Sequence, residues 1–273
     1  MTSATPGGAA PPAPPTFPEL YEQTLVGALF APWVASLLAD VRLAAGERVL
    51  DIACGTGIAA RIARERLGAA GRVVGVDGNP QMLAVARRLA PSIDWRQGDA
   101  ASLPLREEEK FDVVLCQQGF QFFPDPAAAA RAMFAALAPG GRVAISTWRA
   151  DAEFPLLREL RAVAERHLGP IHDRRYGMHE PERIESPLRE AGFRDVRSKA
   201  ASRPICFSDG AGFVRLNAVA LVGMSAASAT LADAQRRELV DAIFRDSAPV
   251  AAAHTGPVGL AFDIGANVTL ART

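Results

Sequence analysis

The sequence predicts an α/β protein with a doubly wound, mostly parallel sheet of seven strands and a helical cap. From residue 47 onward, short apolar runs alternate with helical segments. The runs are apolar on both faces, as strands are when helices cover both sides of a parallel sheet. Residues 208–257 separate the last two predicted strands. A hairpin needs only a few residues, so we expect the excess to form two helices that cap the site.

The individual elements follow from apolar spacing and from residues that start or stop helices. Apolar residues at helical spacing predict a helical segment over 19–38, with a kink or break at Pro32. Asn79 and Pro80 mark the start of a later helix, and Gly68 marks the end of an earlier one. The seven predicted strands are 48–53, 71–77, 92–99, 111–117, 141–148, 194–207 and 259–271.

The composition argues against several classes of protein. The chain has 30 basic and 30 acidic side chains, without the basic excess typical of nucleic-acid binding. No apolar run reaches the roughly 18–20 residues of a membrane span, and no secretory signal is recognisable. Cys54, Cys116 and Cys206 lack paired spacing, so we expect buried thiols, no metal site and a cytoplasmic location. The charge run "REEEK" at 106–110 is typical of a solvated loop.

A glycine turn, "VLDIACGTGIAA" at 49–60, joins the first predicted strand to a helix. Gly55 and Gly57 fit a Rossmann-like nucleotide-binding fingerprint, and Asp77 ends the second strand where a ribose-binding acid belongs. A diphosphate there would lie beside Asp51, and like charges about 4 Å apart repel by roughly 4 kcal/mol at an effective dielectric of about 20. Asp51 therefore favours a cationic nucleoside such as S-adenosylmethionine, whose carboxylate the N–H groups of the turn could bind.

Asp51, Asp77 and Asp99 stand at the ends of three successive predicted strands. The carboxyl ends of parallel strands meet at one edge of a sheet, so these acids predict a shared binding site. A role for Asp51 as a simple helix cap is less favoured for this reason.

Five stretches carry a resemblance to a known family: "VLDIACGTG", "VVGVDGNPQML", "WRQGDAASLPL", "FDVVLCQQGFQFFPDP" and "LAPGGRVAISTW". In order and spacing they resemble the motifs of class I S-adenosylmethionine-dependent methyltransferases. The small-molecule branch that includes ubiquinone- and menaquinone-biosynthesis enzymes is the most similar. The resemblance covers about residues 19–150. It implies S-adenosyl-L-methionine as the cofactor and S-adenosyl-L-homocysteine as the product.

The resemblance also implies which residues bind the cofactor. They would follow it from the methionine part and sulfonium (Ala53, Gly55, Gly57, Gln117) through the ribose (Asp77) to the adenine (Gly78, Met82, Asp99, Ala100), with Tyr21 on a segment that folds over it. The expected organisation is a disordered tail at 1–16 and a single domain at 17–273. Its parts are lid helices at 17–45, a cofactor-binding core at 46–150, cap segments at 151–192 and 208–257, and closing strands at 193–207 and 258–273.

The acceptor side is less defined by the sequence. Gln118, Tyr176 and His179 are candidate catalytic residues, since a neutral histidine in the loop 169–182 could take a proton from an acceptor. A solvated loop is the competing interpretation. Apolar residues in and beside the cap favour a small hydrophobic acceptor: Phe207, Phe213, Leu216, Leu221 and Met224. A nicotinamide-dependent oxidoreductase, a catalytically silent S-adenosylmethionine-binding protein, and a monomeric or homodimeric state all stay open.

Overall fold

A mixed sheet forms the centre of the structure, a computed structural model that describes residues 15–273. The strand order is β3-β2-β1-β4-β5-β8-β6, and the two-residue β7 pairs with β8 outside this path. The bounds are β1 Arg48–Ile52, β2 Arg72–Asp77, β3 Asp94–Gln97, β4 Phe111–Gln117, β5 Leu137–Trp148, β6 Arg194–Phe207, β7 Thr255–Gly256 and β8 Gly259–Arg272.

The first five strands are parallel, and β8 runs antiparallel between β5 and β6. In the register of β1, Val49 pairs with Val73 of β2 on one side and with Val113 of β4 on the other. The order of strands along the chain reverses at this point, and a crevice opens there at the carboxyl ends of the strands. The predicted doubly wound, mostly parallel sheet is confirmed.

Helices cover both faces of the sheet. One core packs α2 Ala31–Asp40, α3 Ile58–Leu67 and α4 Pro80–Leu89 on the sheet through side chains such as Leu37, Ala63 and Leu83. The opposite core packs α5 Pro126–Ala136 and α7 Glu182–Glu190 through Met133, Ile184 and Leu188. Where two helices were predicted over 208–257, there are three: α8 Gly210–Met224, α9 Asp233–Asp246 and α10 Ala248–Ala253. They pack with α6 Pro155–Leu168.

A continuous helical segment, the N-terminal helix Phe17–Asp40, precedes the sheet. It consists of α1 Phe17–Tyr21, a π-helical part Glu22–Phe30 and α2. Pro32 has no N–H to donate to the preceding turn, and the helix changes type directly before it. The kink or break predicted at this proline is therefore a change of helical geometry.

The N-terminal helix begins at a cap. The Thr16 N–H donates to Glu19 Oε2 at 2.9 Å, so this residue belongs to the helix start rather than to the predicted tail. Pro15 is exposed and precedes the helix, and residues 1–14 of the predicted tail lie outside the described residues.

The same helix corrects the expectation about membrane spans. By length and by a mean hydropathy of 1.2, Phe17–Asp40 reaches the values of a spanning helix. Buried helices of folded domains reach them too. Val34, Leu37 and Leu38 are almost completely buried in the core that α3 and α4 share. This packing favours a core helix as the explanation of its apolar composition.

Cys206 differs from its prediction. Cys54 and Cys116 are buried free thiols, whereas Cys206 is exposed. Successive side chains of a strand point to opposite faces. Ile205 and Phe207 of β6 are buried, so the residue between them points outward.

Glu109, in the run predicted to be solvated, is also different. Its side chain is 4 % exposed and bonds Arg72 at 2.7 Å, Arg96 at 2.7 Å and Arg106 at 3.2 Å. The hydrogen bond from Arg96 holds the pKa of Glu109 well below its usual range. Arg72 and Arg96 come from adjacent strands, so the sequence around Glu109 does not show that these arginines surround it.

Candidate functional site

Asp51 lies beneath the predicted glycine turn. It is 1 % exposed, and its Oδ2 accepts a hydrogen bond from the Ala60 N–H in the first turn of α3 at 3.0 Å. Burial raises the pKa of Asp51 to about 7; the Ala60 N–H opposes this shift, and the charge of Asp77 adds to it. Asp51 thus has the contacts of a helix-capping acid and also places a titratable charge under the turn.

Asp77 reaches the same turn from the end of β2. Its Oδ2 accepts from the Gly55 N–H and its Oδ1 from the Asn79 N–H, both at 2.8 Å. Burial raises the pKa of Asp77 as well. Two carboxylates from adjacent strands therefore converge on the turn, which we call the acidic corner (Asp51, Gly55, Gly57 and Asp77). A concentration of negative charge in a partly buried site favours a cationic ligand.

The two glycines of the acidic corner serve different purposes. Both have left-handed φ angles, +57° at Gly55 and +89° at Gly57. A Cβ on Gly55 would meet no atom within 4 Å, so space for a ligand lies over it. A Cβ on Gly57 would come within 2.3 Å of the Trp95 ring. Trp95 was not among the predicted site residues, because no local pattern shows which side chain packs under a turn.

The predicted adenine residues lie along the neighbouring strand ends. The Gly98 N–H donates to the Asp77 carbonyl oxygen at 3.1 Å, which ties the end of β3 to the end of β2. Asp99 follows directly and accepts from the Ala101 N–H at 2.7 Å. The remaining three predicted residues occupy the same edge: exposed Gly78, and half-buried Met82 and Ala100.

The N-terminal helix lies beside the acidic corner. Tyr21 stacks on Phe30, with ring centroids 5.2 Å apart. Burial, and then the charges of Asp77 and Glu22, raise the pKa of Tyr21 well above its usual value. Gln117, at the end of β4, donates from Nε2 to the Phe30 carbonyl oxygen at 2.9 Å. The structure thereby brings Tyr21 and Gln117 to the same side of the site.

Two ion pairs join this helix to α3 and α4. Glu22 pairs with Arg61 of α3 at 2.6 Å, and Glu19 pairs with Arg88 of α4 at 2.9 Å. Neither pair was predicted, because the partners are 39 and 69 positions apart in the sequence. No local spacing signals such a contact.

Ala53 and Gln118, at the ends of β1 and β4, have left-handed φ angles of 56° and 54°. Side chains other than glycine rarely adopt this conformation, and it concentrates at functional sites. Gln118 is buried: its N–H donates to the Ser146 carbonyl oxygen at 2.9 Å, and its side chain lies 3.4 Å from Ser146 Oγ. The strained backbone marks the crevice, while the Gln118 side chain is engaged inside the protein.

Tyr176 and His179 are also engaged with the protein itself. Tyr176 is 7 % exposed, and burial raises its pKa to about 12. His179 Nδ1 lies 2.7 Å from the Tyr176 carbonyl oxygen. A carbonyl oxygen only accepts, so Nδ1 carries the proton and the neutral ring has its lone pair on Nε2. Nε2 is therefore the atom with which His179 could act as a base.

Arg175 anchors the loop that contains these two residues. It bonds buried Asp173 through several contacts, one of 2.6 Å, and it donates to Asn217 Oδ1 on α8 at 2.8 Å. Adjacent arginines such as Arg174 and Arg175 can bind an anionic acceptor. Arg175 is instead paired inside the protein, and exposed Arg174 lies over the Phe122 ring at 5.9 Å.

An apolar cluster lies between the N-terminal helix, the sheet and the cap. Its aromatic members include Trp148, Phe154, Tyr176, Phe207 and Phe213. The other predicted cap residues lie elsewhere: Leu221 and Met224 pack in a separate core of α6, α8 and α9, and Leu216 lines a cleft of about 360 Å³ beside the N-terminal helix.

Comparisons with known proteins agree with this arrangement. Residues 49–141 match the methyltransferase domain family. A 2-phytyl-1,4-naphtoquinone methyltransferase of Thermosynechococcus vestitus is 37% identical over 134 residues, 48% of this chain and 59% of that protein. A ubiquinone biosynthesis O-methyltransferase of Pseudomonas fluorescens is 39% identical over 107 residues, 38% of this chain and 45% of that protein. The chain thus spans about half the length of the curated relatives that it matches.

A solved structure shows the same fold over most of the chain. The YcgJ protein from Bacillus subtilis superposes with a TM-score of 0.57 at 17% identity, covering 88% of this chain and 97% of that one. At this identity the similarity concerns the fold alone.

Proposed function

We propose that the chain, whose residues 49–141 match the methyltransferase domain family, is a class I S-adenosylmethionine-dependent methyltransferase that methylates a small hydrophobic acceptor. One observation carries the proposal. Asp51 and Asp77 converge on a turn whose first glycine has open space above it. Such a corner fits a cationic adenosyl compound and repels a diphosphate.

The residues of the site are proposed to bind and orient the cofactor. Asp77 accepts hydrogen bonds from the ribose hydroxyls, and Asp99 and Ala100 contact the adenine. Tyr21 covers the ligand from the N-terminal helix. S-adenosylmethionine supplies a methyl group that its sulfonium already activates. The main task of the protein is therefore alignment, which can contribute about 7–11 kcal/mol.

We propose an acceptor with an aromatic ring and apolar substituents. The apolar cluster around Trp148 and Phe213 supports this class, and the names of two relatives refer to quinones. Where the acceptor must lose a proton, His179 Nε2 is the candidate base. Gln118 and Tyr176 are proposed to shape the acceptor side through their buried contacts.

The alternatives fare differently. A nicotinamide-dependent oxidoreductase gains no support, because the family match and the named relatives are methyltransferases. A silent S-adenosylmethionine-binding protein would keep the acidic corner and form no product. We further propose that the protein acts in the cytoplasm on a small molecule, without nucleic acid, as a monomer or a homodimer.

The test is product formation. The protein is incubated with S-adenosylmethionine and a panel of hydroxylated benzoquinols and naphthoquinols, and S-adenosylhomocysteine is measured by mass spectrometry. We expect product well above the acceptor-free blank with at least one compound, and none from the Asp77→Ala variant. Binding of S-adenosylmethionine without product from any acceptor would favour the silent alternative.

A further inference from the structure

We infer that Glu22 and Arg61 together recognise the α-amino and carboxylate groups of the cofactor's methionine part. The inference rests on the proposed function. The two side chains bridge the N-terminal helix and α3 at 2.6 Å, and they are only 18% and 22% exposed.

Each member of this pair keeps one polar atom without a partner. The ion pair joins Glu22 Oε1 to Arg61 Nη2. Among the described residues, Glu22 Oε2 and Arg61 Nε are shielded from solvent and have no hydrogen-bond partner. A charged group that is buried with unmet hydrogen bonds costs free energy. A ligand that bonds these two atoms would recover that free energy.

Both residues lie beside the acidic corner. Glu22 follows Tyr21, on whose hydroxyl the charges of Asp77 and Glu22 act together. Arg61 follows Ala60, the residue that donates to Asp51. The backbone N–H of Arg61 itself donates to the Gly57 carbonyl oxygen at 2.8 Å, so the pair lies at the first turn of α3, beside the place where the proposed cofactor binds.

The chemistry of the pair matches a zwitterion. Glu22 Oε2 can accept a hydrogen bond from an ammonium group, and the Arg61 Nε–H can donate one to a carboxylate. Two N–H groups of the glycine turn, which was expected to bind the carboxylate, already donate hydrogen bonds within the protein. The Gly55 N–H donates to Asp77 at 2.8 Å, and the Gly57 N–H donates to the Cys54 carbonyl oxygen at 2.8 Å. The carboxylate therefore needs a donor beyond these two, and Arg61 supplies one.

Two ligands separate this role from a purely structural one. S-adenosylhomocysteine carries the amino and carboxylate groups, whereas 5′-methylthioadenosine keeps the thioether nucleoside and lacks them. Calorimetric titration of Glu22→Gln and Arg61→Met is expected to show about a ten- to hundredfold loss of affinity for S-adenosylhomocysteine, the range for hydrogen bonds to charged groups. Affinity for 5′-methylthioadenosine should change by less than about twofold, since no contact to it is lost.

The matched controls are Glu19→Gln and Arg88→Met. They break the ion pair between the N-terminal helix and α4 and should leave both affinities nearly unchanged. An equal loss of affinity for both ligands in Glu22→Gln would overturn the inference, because an ion pair that only holds the helix in place would affect both ligands equally. If Arg61→Met does not fold, as judged by its melting curve, Glu22→Gln decides alone. A wild-type protein that binds neither ligand would contradict the proposed function itself.

Discussion

The acidic corner was predicted to form the site and the loop 169–182 to contain candidate catalytic residues, but the two regions have different contacts. In the corner, Asp51 and Asp77 come from separate strands and meet at one turn. In the loop, Tyr176 is buried among aromatic side chains, and Arg175 is paired within the protein. The corner brings two acidic side chains together, so that a cationic ligand would reduce their repulsion. In the loop, the charge of Arg175 is already paired with that of Asp173.

The comparison shows that an argument from strand topology predicts a site better than an argument from residue type. The corner was predicted from topology, because acids that end successive parallel strands are brought to one edge by the fold. The loop was predicted from residue type, because histidine, tyrosine and arginine can take part in catalysis. Residue type alone does not reveal whether a side chain already has partners. The catalytic roles of Gln118, Tyr176 and His179 stay predictions.

The largest expected effect concerns the loop. Arg175→Met leaves the Asp173 carboxylate buried without its cation, and we expect a loss of about 3 kcal/mol in unfolding free energy. Urea denaturation measures this loss. Arg174→Met is the matched control, because that exposed neighbour should change stability by less than about 0.5 kcal/mol. Equal stability of both variants would show that the buried pair does not anchor the loop.

The corner should respond in ligand affinity instead. Asp77→Ala removes the proposed ribose contacts and the partner of the Gly55 N–H. We expect about a hundredfold loss of affinity for S-adenosylhomocysteine by calorimetry, from two hydrogen bonds to a charged group. Asp77→Asn keeps one acceptor oxygen and should fall between wild type and Asp77→Ala. Unchanged affinity in Asp77→Ala would remove the ribose assignment.

The pH dependence of binding sharpens the comparison further. Asp51, with a pKa of about 7, is mostly protonated at pH 6 and mostly ionised at pH 8. A cation binds the ionised form better, so affinity for S-adenosylmethionine should rise about tenfold over this range. Burial keeps the thiols of Cys54 and Cys116 neutral there by raising their pKa values. Asp51→Asn should flatten the profile, and an affinity that falls with pH would contradict the role of this charge.

The smallest expected effect is on the loop histidine. His179 contacts the Tyr176 carbonyl oxygen through Nδ1 and accepts a hydrogen bond from Asn267 at its own carbonyl oxygen, and neither partner belongs to the acidic corner. His179→Ala should therefore change affinity for S-adenosylhomocysteine by less than about twofold, as distant sites usually act independently. A loss of affinity larger than about tenfold, measured by calorimetry, would show that the loop belongs to the cofactor site and would contradict the difference between the two regions.

The sequence predicted the fold well, because buried parallel strands and helix caps are local signals. Asn79 caps α4 and Gly68 ends α3 as expected. Long-range packing is not a local signal, and the surprises arise there. Trp95 packs against Gly57, and Glu109 gathers arginines from two strands. Which side chains meet across the sheet depends on register and shape, which no single segment contains.

The candidate site divides along the same line. The residues of the acidic corner follow from strand order and the glycine turn. The Glu22–Arg61 pair could not be predicted, because it depends on how the N-terminal helix lies against α3. Glu22 is the first residue of the π-helical part Glu22–Phe30, and only the change of geometry before Pro32 has a sequence signal.

The central claim is that the acidic corner selects a cationic adenosyl compound over a dinucleotide. Equilibrium dialysis at pH 8 with S-adenosylmethionine and with NADH, each alone and at the same concentration, tests it most directly. We predict retention of S-adenosylmethionine and none of NADH. Retention of NADH with no retention of S-adenosylmethionine would contradict the claim.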